Sequence, residues 1–145
     1  AMNLAYGGNS AIPVRFVFEL AAPTYFVAED WGSLMKSDNL GSEEEFYRMM
    51  TGKELSAQEY RQEIKKISPT CLVGEYSVPT LIGYGLKDHC GPADQKEYLI
   101  DALEKNGVSY DYVEFPHSNH LLYGDLDKMQ TFMDLSLEYC KKYFQ

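Results

Sequence analysis

Pro79-Thr80-Leu81-Ile82-Gly83-Tyr84-Gly85-Leu86-Lys87-Asp88 opens the stretch whose reading decides the fold, and that stretch runs on to Leu122. Thr80 to Tyr84 is a short apolar run closed off by Pro79 and Gly85, the pattern of a buried strand in a parallel sheet. The chain then turns through Gly85 to Pro92 and enters an amphipathic segment, Pro92 to Asn106. There Tyr98, Leu99, Ala102 and Leu103 form one stripe, and Gly107 stops the helix. A second strand, Tyr110 to Phe115, delivers Pro116-His117-Ser118-Asn119-His120. A carboxylate, Asp88, and an imidazole, His120, thus stand on loops just past the C-terminal ends of two consecutive strands. Those loops share the rim where open α/β sheets place their ligands.

Gly85-x-x-Asp88-x-x-x-Pro92, a helix ending at Asn106-Gly107, a strand, and then Phe115-Pro116-His117-Ser118-Asn119-His120 resemble the C-terminal half of an α/β-hydrolase. The resemblance is to the acetyl-esterase and carboxylesterase-like branch. In that fold the triad follows the order Ser, Asp or Glu, His. The resemblance therefore implies Asp88 as triad acid and His120 as general base. Asn119 and Leu121 stand where the family usually has Gly, and bring bulkier side chains next to the imidazole. Ser68-Pro69 also resembles a Ser-Pro found at that place in the esterases. The family's Gly-x-Ser-x-Gly elbow is absent, and Ala1 to Gly7 resembles the helix that follows it. The expectation is an α/β-hydrolase cut just past its nucleophile, with the first five strands and the oxyanion-hole loop outside this chain.

The 145 residues suit a single domain, here a partial one spanning 1–145 with about three parallel strands flanked by helices. Apolar residues make up 45% and charged residues 24%, ordinary for a globular protein. A net charge of −9 disfavours nucleic acid, because no basic patch is available to neutralise phosphates. Cys71, Cys90 and Cys140 are odd in number and widely spaced. They form no disulfide framework and point to a reducing, cytoplasmic setting. No apolar run approaches the about 18 residues of a membrane span.

Earlier in the chain, Ala1 to Tyr6 reads as the end of a helix stopped by Gly7-Gly8. Ile12 to Leu20 alternates, with Ile12, Val14, Phe16, Phe18 and Leu20 on one face and Arg15 and Glu19 on the other. Such a strand suits an edge or half-covered place. The resemblance makes it the sixth strand, robbed of one neighbour. Its open edge, Val14 to Leu20, is an expected site of self-pairing across a two-fold axis. Tyr25 and Phe26, which follow it on the same rim, are either loop packing or a wall of an acyl pocket, and Leu121 joins them as a candidate substrate contact.

Residues 29–68 form a mostly polar helical insertion. Ser42 before Glu43-Glu44-Glu45 marks a helix start, Gly52 ends that helix, and Ser56-Ala57-Gln58-Glu59 has the form of a capping box. Met35, Phe46, Met49, Met50 and Tyr60 give it adaptable apolar surface. It resembles a hydrolase lid, and its side chains equally suit simple helix cores. The last helix spans about Asp125 to Tyr143, with Leu126, Met129, Met133, Cys140 and Tyr143 at helical spacing.

A hydroxyl attacks an ester only when a base takes its proton, so the chemistry implied is Ser-Asp-His hydrolysis of a short-acyl or acetyl ester with the Ser outside this chain. A prolyl-oligopeptidase-like peptidase shares the same C-terminal pattern. The alternative from another class is a non-catalytic remnant acting as an oligomeric binding module. Cys90 and Ser118 are poor stand-ins for the nucleophile, since neither lies on an elbow aimed at His120. His89, Cys90, Asp88 and Asp94 have metal-ligand chemistry but crowd within one turn, so neither metal nor cofactor is expected. His89 and His117 read as exposed loop residues.

Overall fold

The computed structural model describes residues 1–8, 10–26, 31, 41–91 and 94–144, and the structural statements below concern these. Three strands, β1 (Val17–Leu20), β2 (Thr80–Gly85) and β3 (Tyr110–Phe115), form one parallel sheet in the order β1-β2-β3. All six residues of β2 are buried, as expected of an apolar strand with a neighbour on each side. The helices are α1 (Met2–Tyr6), α2 (Glu43–Thr51), α3 (Ala57–Ile64), α4 (Pro69–Leu72), α5 (Gln95–Lys105) and α6 (Leu126–Tyr143). Pro92, the expected start of α5, lies outside the described residues.

The sheet is sandwiched. On one face Val17, Ile82 and Tyr84 pack with Met2, Ala5 and Tyr6 of α1 and with Leu99 and Leu103 of α5. On the other, Leu81, Val113 and Phe115 pack with Phe132 and Tyr139 of α6. This is the three-layer α/β arrangement. Parallel strands must be linked by crossovers, and the first contains the α2–α4 insertion while the second is α5.

Two expectations need correction. First, β1 is shorter than Ile12 to Leu20, because its ladder begins where the Val17 N–H donates to the Pro79 carbonyl (3.0 Å). Its buried face is the one that carries Glu19. Val17 and Glu19 are buried while Phe18 and Leu20 are 37% and 42% exposed. The face carrying Glu19 is covered by α1 and α5, whereas the apolar one packs on α6 and stays half-exposed, so coverage rather than polarity decided burial. Second, α6 buries Phe132, Ser136 and Tyr139, and leaves Leu126 and Met133 exposed. Apolar residues lie on more than one side of that helix, and the sheet covers one. The Gly7-Gly8 stop of α1 stands as expected, with Gly8 (φ 67°) in the left-handed conformation.

The insertion has its own small core. Phe46, Tyr47, Tyr60 and Ile64 are buried together, against Phe26 and Trp31. Both of its main helices start on complete capping boxes. In α2 the Ser42 hydroxyl accepts from the Glu45 N–H (3.2 Å), and in α3 the Ser56 hydroxyl accepts from the Glu59 N–H (3.4 Å). Gly52 closes α2 at φ 69°. Met49 is exposed, and Met35 lies outside the described residues. Ser68 does more than end a helix. Fully buried, it donates to the Ile64 carbonyl (2.9 Å) and accepts from the Phe26 N–H (3.1 Å), fastening the insertion to the loop after β1. No helix among the described residues is long and apolar enough to cross a membrane.

Candidate active site

Two loops build the site, and backbone contacts set them against each other. After β2 the chain turns sharply, with the Asp88 N–H donating to the Gly85 carbonyl (3.1 Å). The Leu86 and Lys87 N–H groups donate to the Phe115 and Ser118 carbonyls, both at 3.0 Å, so the β3 loop lies directly on the β2 loop. Only glycine permits this approach at position 85. A Cβ there would stand 2.5 Å from the Ser118 carbonyl oxygen and 2.6 Å from that of Asn119.

The β3 loop is tied from below by Asp125, the residue before α6. Its carboxylate accepts from the His117 N–H (2.9 Å) and from the Ser118 hydroxyl (2.6 Å). Ser118 in turn accepts from the Gly124 N–H (3.0 Å). Burial opposes ionisation of Asp125, and the Ser118 and His117 donors outweigh it, holding the carboxyl below its usual range. Ser118 is therefore a buried brace of the loop, facing Asp125. Leu122, in the left-handed region at φ 58°, turns the chain back into the core.

With both loops fixed, His120 Nδ1 lies 2.9 Å from Asp88 Oδ2. The other carboxylate oxygen, Oδ1, accepts from the Cys90 N–H (2.8 Å). A carboxylate only accepts, so Nδ1 donates, and the opposite ring nitrogen, Nε2, keeps its lone pair. The Asp88 side chain is 13% exposed and that of His120 43%, so the acid is sheltered and the base faces outward. Asn119 and Leu121 do not crowd the ring. Both are exposed, and the Asn119 side chain accepts from the Leu121 N–H (3.1 Å) within the turn.

A cleft of about 220 Å³ opens at this pair. Ala21, Ala22 and Pro23 form one wall, and Tyr84, Gly85, Cys90, Gln95 and Trp31 also line the cleft. Of the other candidate contacts, Tyr25, Phe26 and Leu121 do not line it. Tyr25 packs on Tyr98, with ring centres 4.8 Å apart, Phe26 joins the core of the insertion, and Leu121 points to solvent. The wall is instead shaped by Gln95, whose side-chain oxygen accepts from the Thr24 and Tyr25 N–H groups (2.8 and 2.9 Å). His89 and His117 are exposed.

Sequence reasoning missed Trp31 and Glu19. Trp31 reaches the cleft from the insertion and is oriented by donating to the Tyr25 carbonyl (2.8 Å). No local pattern marks it, apart from its being the one Trp of the chain. Glu19 lies beneath the first wall, with one oxygen accepting from the Ala22 N–H and the Tyr84 hydroxyl beside it, and its other oxygen has no partner among the described residues. Burial pushes its carboxyl up to about 8, against the partial relief given by Ala22 and Tyr84. The same burial, together with the charge of Glu19, raises the Tyr84 hydroxyl well above its ordinary range. A charged residue in an otherwise apolar run was the available signal.

Residues 7–145 match the model of the prolyl oligopeptidase family. Among solved structures, a truncated form of a carbohydrate esterase from gut microbiota is similar to this chain at a TM-score of 0.66 and 20% identity, over 91% of this chain and 44% of that one. A thermophilic esterase of the planctomycete Thermogutta terrifontis, in its propionate-bound form, follows at 0.56 and 20%, over 88% and 41%. Its butyrate-bound form gives 0.56 and 20%, over 88% and 42%. These likenesses show the α/β-hydrolase fold. The chain spans less than half the length of these structures. No curated protein sequence matches.

Proposed function

This chain belongs to the prolyl oligopeptidase family, and from that premise we propose that it carries the acid and the general base of a serine hydrolase acting on short-acyl carboxylic esters. The hydrogen bond between His120 and Asp88 (2.9 Å) carries this reading. A serine hydroxyl is too weakly acidic to attack a carbonyl unaided. Nε2 of His120, with its lone pair free, is placed to accept that proton. Asp88, donor-locked by the Cys90 N–H, holds the ring in this tautomer and stabilises the imidazolium that results.

The serine belongs to residues outside the 145, which contain no Gly-x-Ser-x-Gly. Among the described residues β1 is paired on its β2 side alone, and its other edge offers backbone groups to a further strand. In the isolated chain the same edge is free to pair with a second copy. Sedimentation at tens of micromolar should then show dimers, and a monomer would argue against such pairing. Trp31, which lines the cleft from the insertion, supports reading that insertion as a lid.

Two observations favour a small ester. The cleft of about 220 Å³ has room for a short acyl group, and the similar structures are described as esterases. The family match favours a second reading, a serine peptidase. The test treats the protein from its full reading frame with a fluorophosphonate, followed by intact-mass mapping. One modified serine is expected, with labelling slowed at least about a thousandfold in His120→Ala. Turnover of p-nitrophenyl acetate and butyrate supports the esterase; cleavage of prolyl peptide amides alone supports the peptidase. An unlabelled protein overturns both and leaves a binding module.

A further inference from the structure

We propose that Asp88, Cys90 and His120 form a binding site for a zinc-like divalent cation at the mouth of the cleft. The hydrolase reading uses the first and third of these residues and gives the Cys90 side chain no part. The fold nevertheless brings all three together. One ligand atom from each, a carboxylate oxygen, a thiol sulfur and an imidazole nitrogen, lies within 4.8 Å of the others. It is the one such group among the described residues.

Sequence spacing alone points away from a metal here, because residues 88 to 94 crowd within one turn. The third ligand comes from elsewhere. His120 arrives on the β3 loop, across the sheet rim, so the ion would be held between two elements rather than inside one turn. His89 and Asp94, its sequence neighbours, take no part in the cluster.

The donor set and its dimensions suit such an ion. Thiolate, imidazole and carboxylate are the three ligand types zinc favours, and three protein ligands leave a fourth position open. Tetrahedral bonds of about 2.0 Å to N or O and about 2.3 Å to S separate ligand atoms by about 3.3–3.6 Å. The Asp88–His120 pair is already 2.9 Å apart. Cys90 is exposed, so a rotation of its side chain closes the remaining gap. Both loops are preformed by the hydrogen bonds that tie Leu86, Lys87 and Cys90, so the ion does not have to order them.

The surroundings favour a cation. Asp94, Lys96 and Glu97 line the same cleft; Lys96 and Glu97 pair with each other at 3.4 Å, which leaves the Asp94 carboxylate as the net charge beside the cluster. A bound ion would occupy the imidazole and carboxylate together, so cation binding and proton acceptance by His120 exclude one another. The site does not depend on the hydrolase reading, and its test reads the metal directly.

The reduced 145-residue chain, freed of reductant and chelator, is titrated with Co²⁺ by absorption and with Zn²⁺ by calorimetry. The expected result is one ion per chain, with a thiolate-to-cobalt charge-transfer band that Zn²⁺ abolishes. Cys90→Ser should remove the band and weaken Zn²⁺ binding at least about tenfold, as should His120→Ala. Cys71→Ser, outside the cluster and exposed, should change neither. Circular dichroism verifies that each variant is folded. Absence of the band, a band that survives Cys90→Ser, or equal loss in Cys71→Ser would overturn the proposal.

Discussion

The ends of β1 and β2 lie side by side on one rim and obey different rules. β2 is paired on both sides and covered on both faces, so all its residues are buried and its turn is fixed by Gly85 and by contacts with the β3 loop. β1 is paired on one side, and one of its faces is left half-exposed. Its burial pattern puts a carboxylate inside and two apolar side chains outside. A strand held from all sides is legible from composition. A strand held from one side takes its pattern from whatever covers it.

The comparison can be broken most forcefully at Glu19. Its folded carboxyl, at about 8, lies above an ordinary value of 4.5, so the folded state binds the proton more tightly than the unfolded one. Stability is thus greatest below about pH 4.5 as far as this group is concerned, falls as pH rises from there to about 8, and is level beyond. Glu19→Gln should remove that slope and stabilise the chain at pH 8 by up to about 4 kcal/mol. Urea denaturation of both proteins at pH 5 and pH 8 measures it. Equal slopes would mean that β1's buried face is wet.

Gly85→Ala tests the β2 end. The new methyl would meet two carbonyl oxygens of the backbone at 2.5 and 2.6 Å, which cannot swing aside as a side chain can. A loss of about 2 kcal/mol is expected from overpacking, along with separation of Asp88 from His120. Thermal unfolding gives the first number, and unchanged stability would show that the loops are not held as described.

The smallest effect belongs to the insertion. Ser56→Ala removes one capping box and should cost about 1 kcal/mol. It should leave the dyad unaltered, because the core of Phe46, Tyr47, Tyr60 and Ile64 is separate from the sheet's two. Hydrogen exchange should show faster exchange in α3 alone; exchange spreading to β2 would show one cooperative unit.

What was legible follows from where the causes lie. β2, α5, β3, the helix start at Ser42 and the capping box at Ser56 rest on neighbours in sequence, and they stand at the expected places. Asp88 and His120 were legible because two strand ends and a turn motif fix the loops that carry them. The orientation of β1, the buried face of α6 and the entry of Trp31 into the cleft depend on distant partners, and no period records those. Tyr25 and Phe26 shared the right rim, but Gln95 binds the backbone of Thr24 and Tyr25, and the rings pack elsewhere. Glu19 broke the apolar pattern of its strand, and the alternation alone did not say which of the two faces would be covered.

The account rests on one contact, His120 Nδ1 donating to Asp88. Ring ¹⁵N shifts of the histidine-labelled chain, at a pH where the imidazole is neutral, test it directly. Wild-type His120 should be fixed with the proton on Nδ1 and an unprotonated Nε2, and Asp88→Ala should release it to the free-imidazole mixture. A wild-type ring already showing that mixture, unchanged by Asp88→Ala, would contradict the dyad.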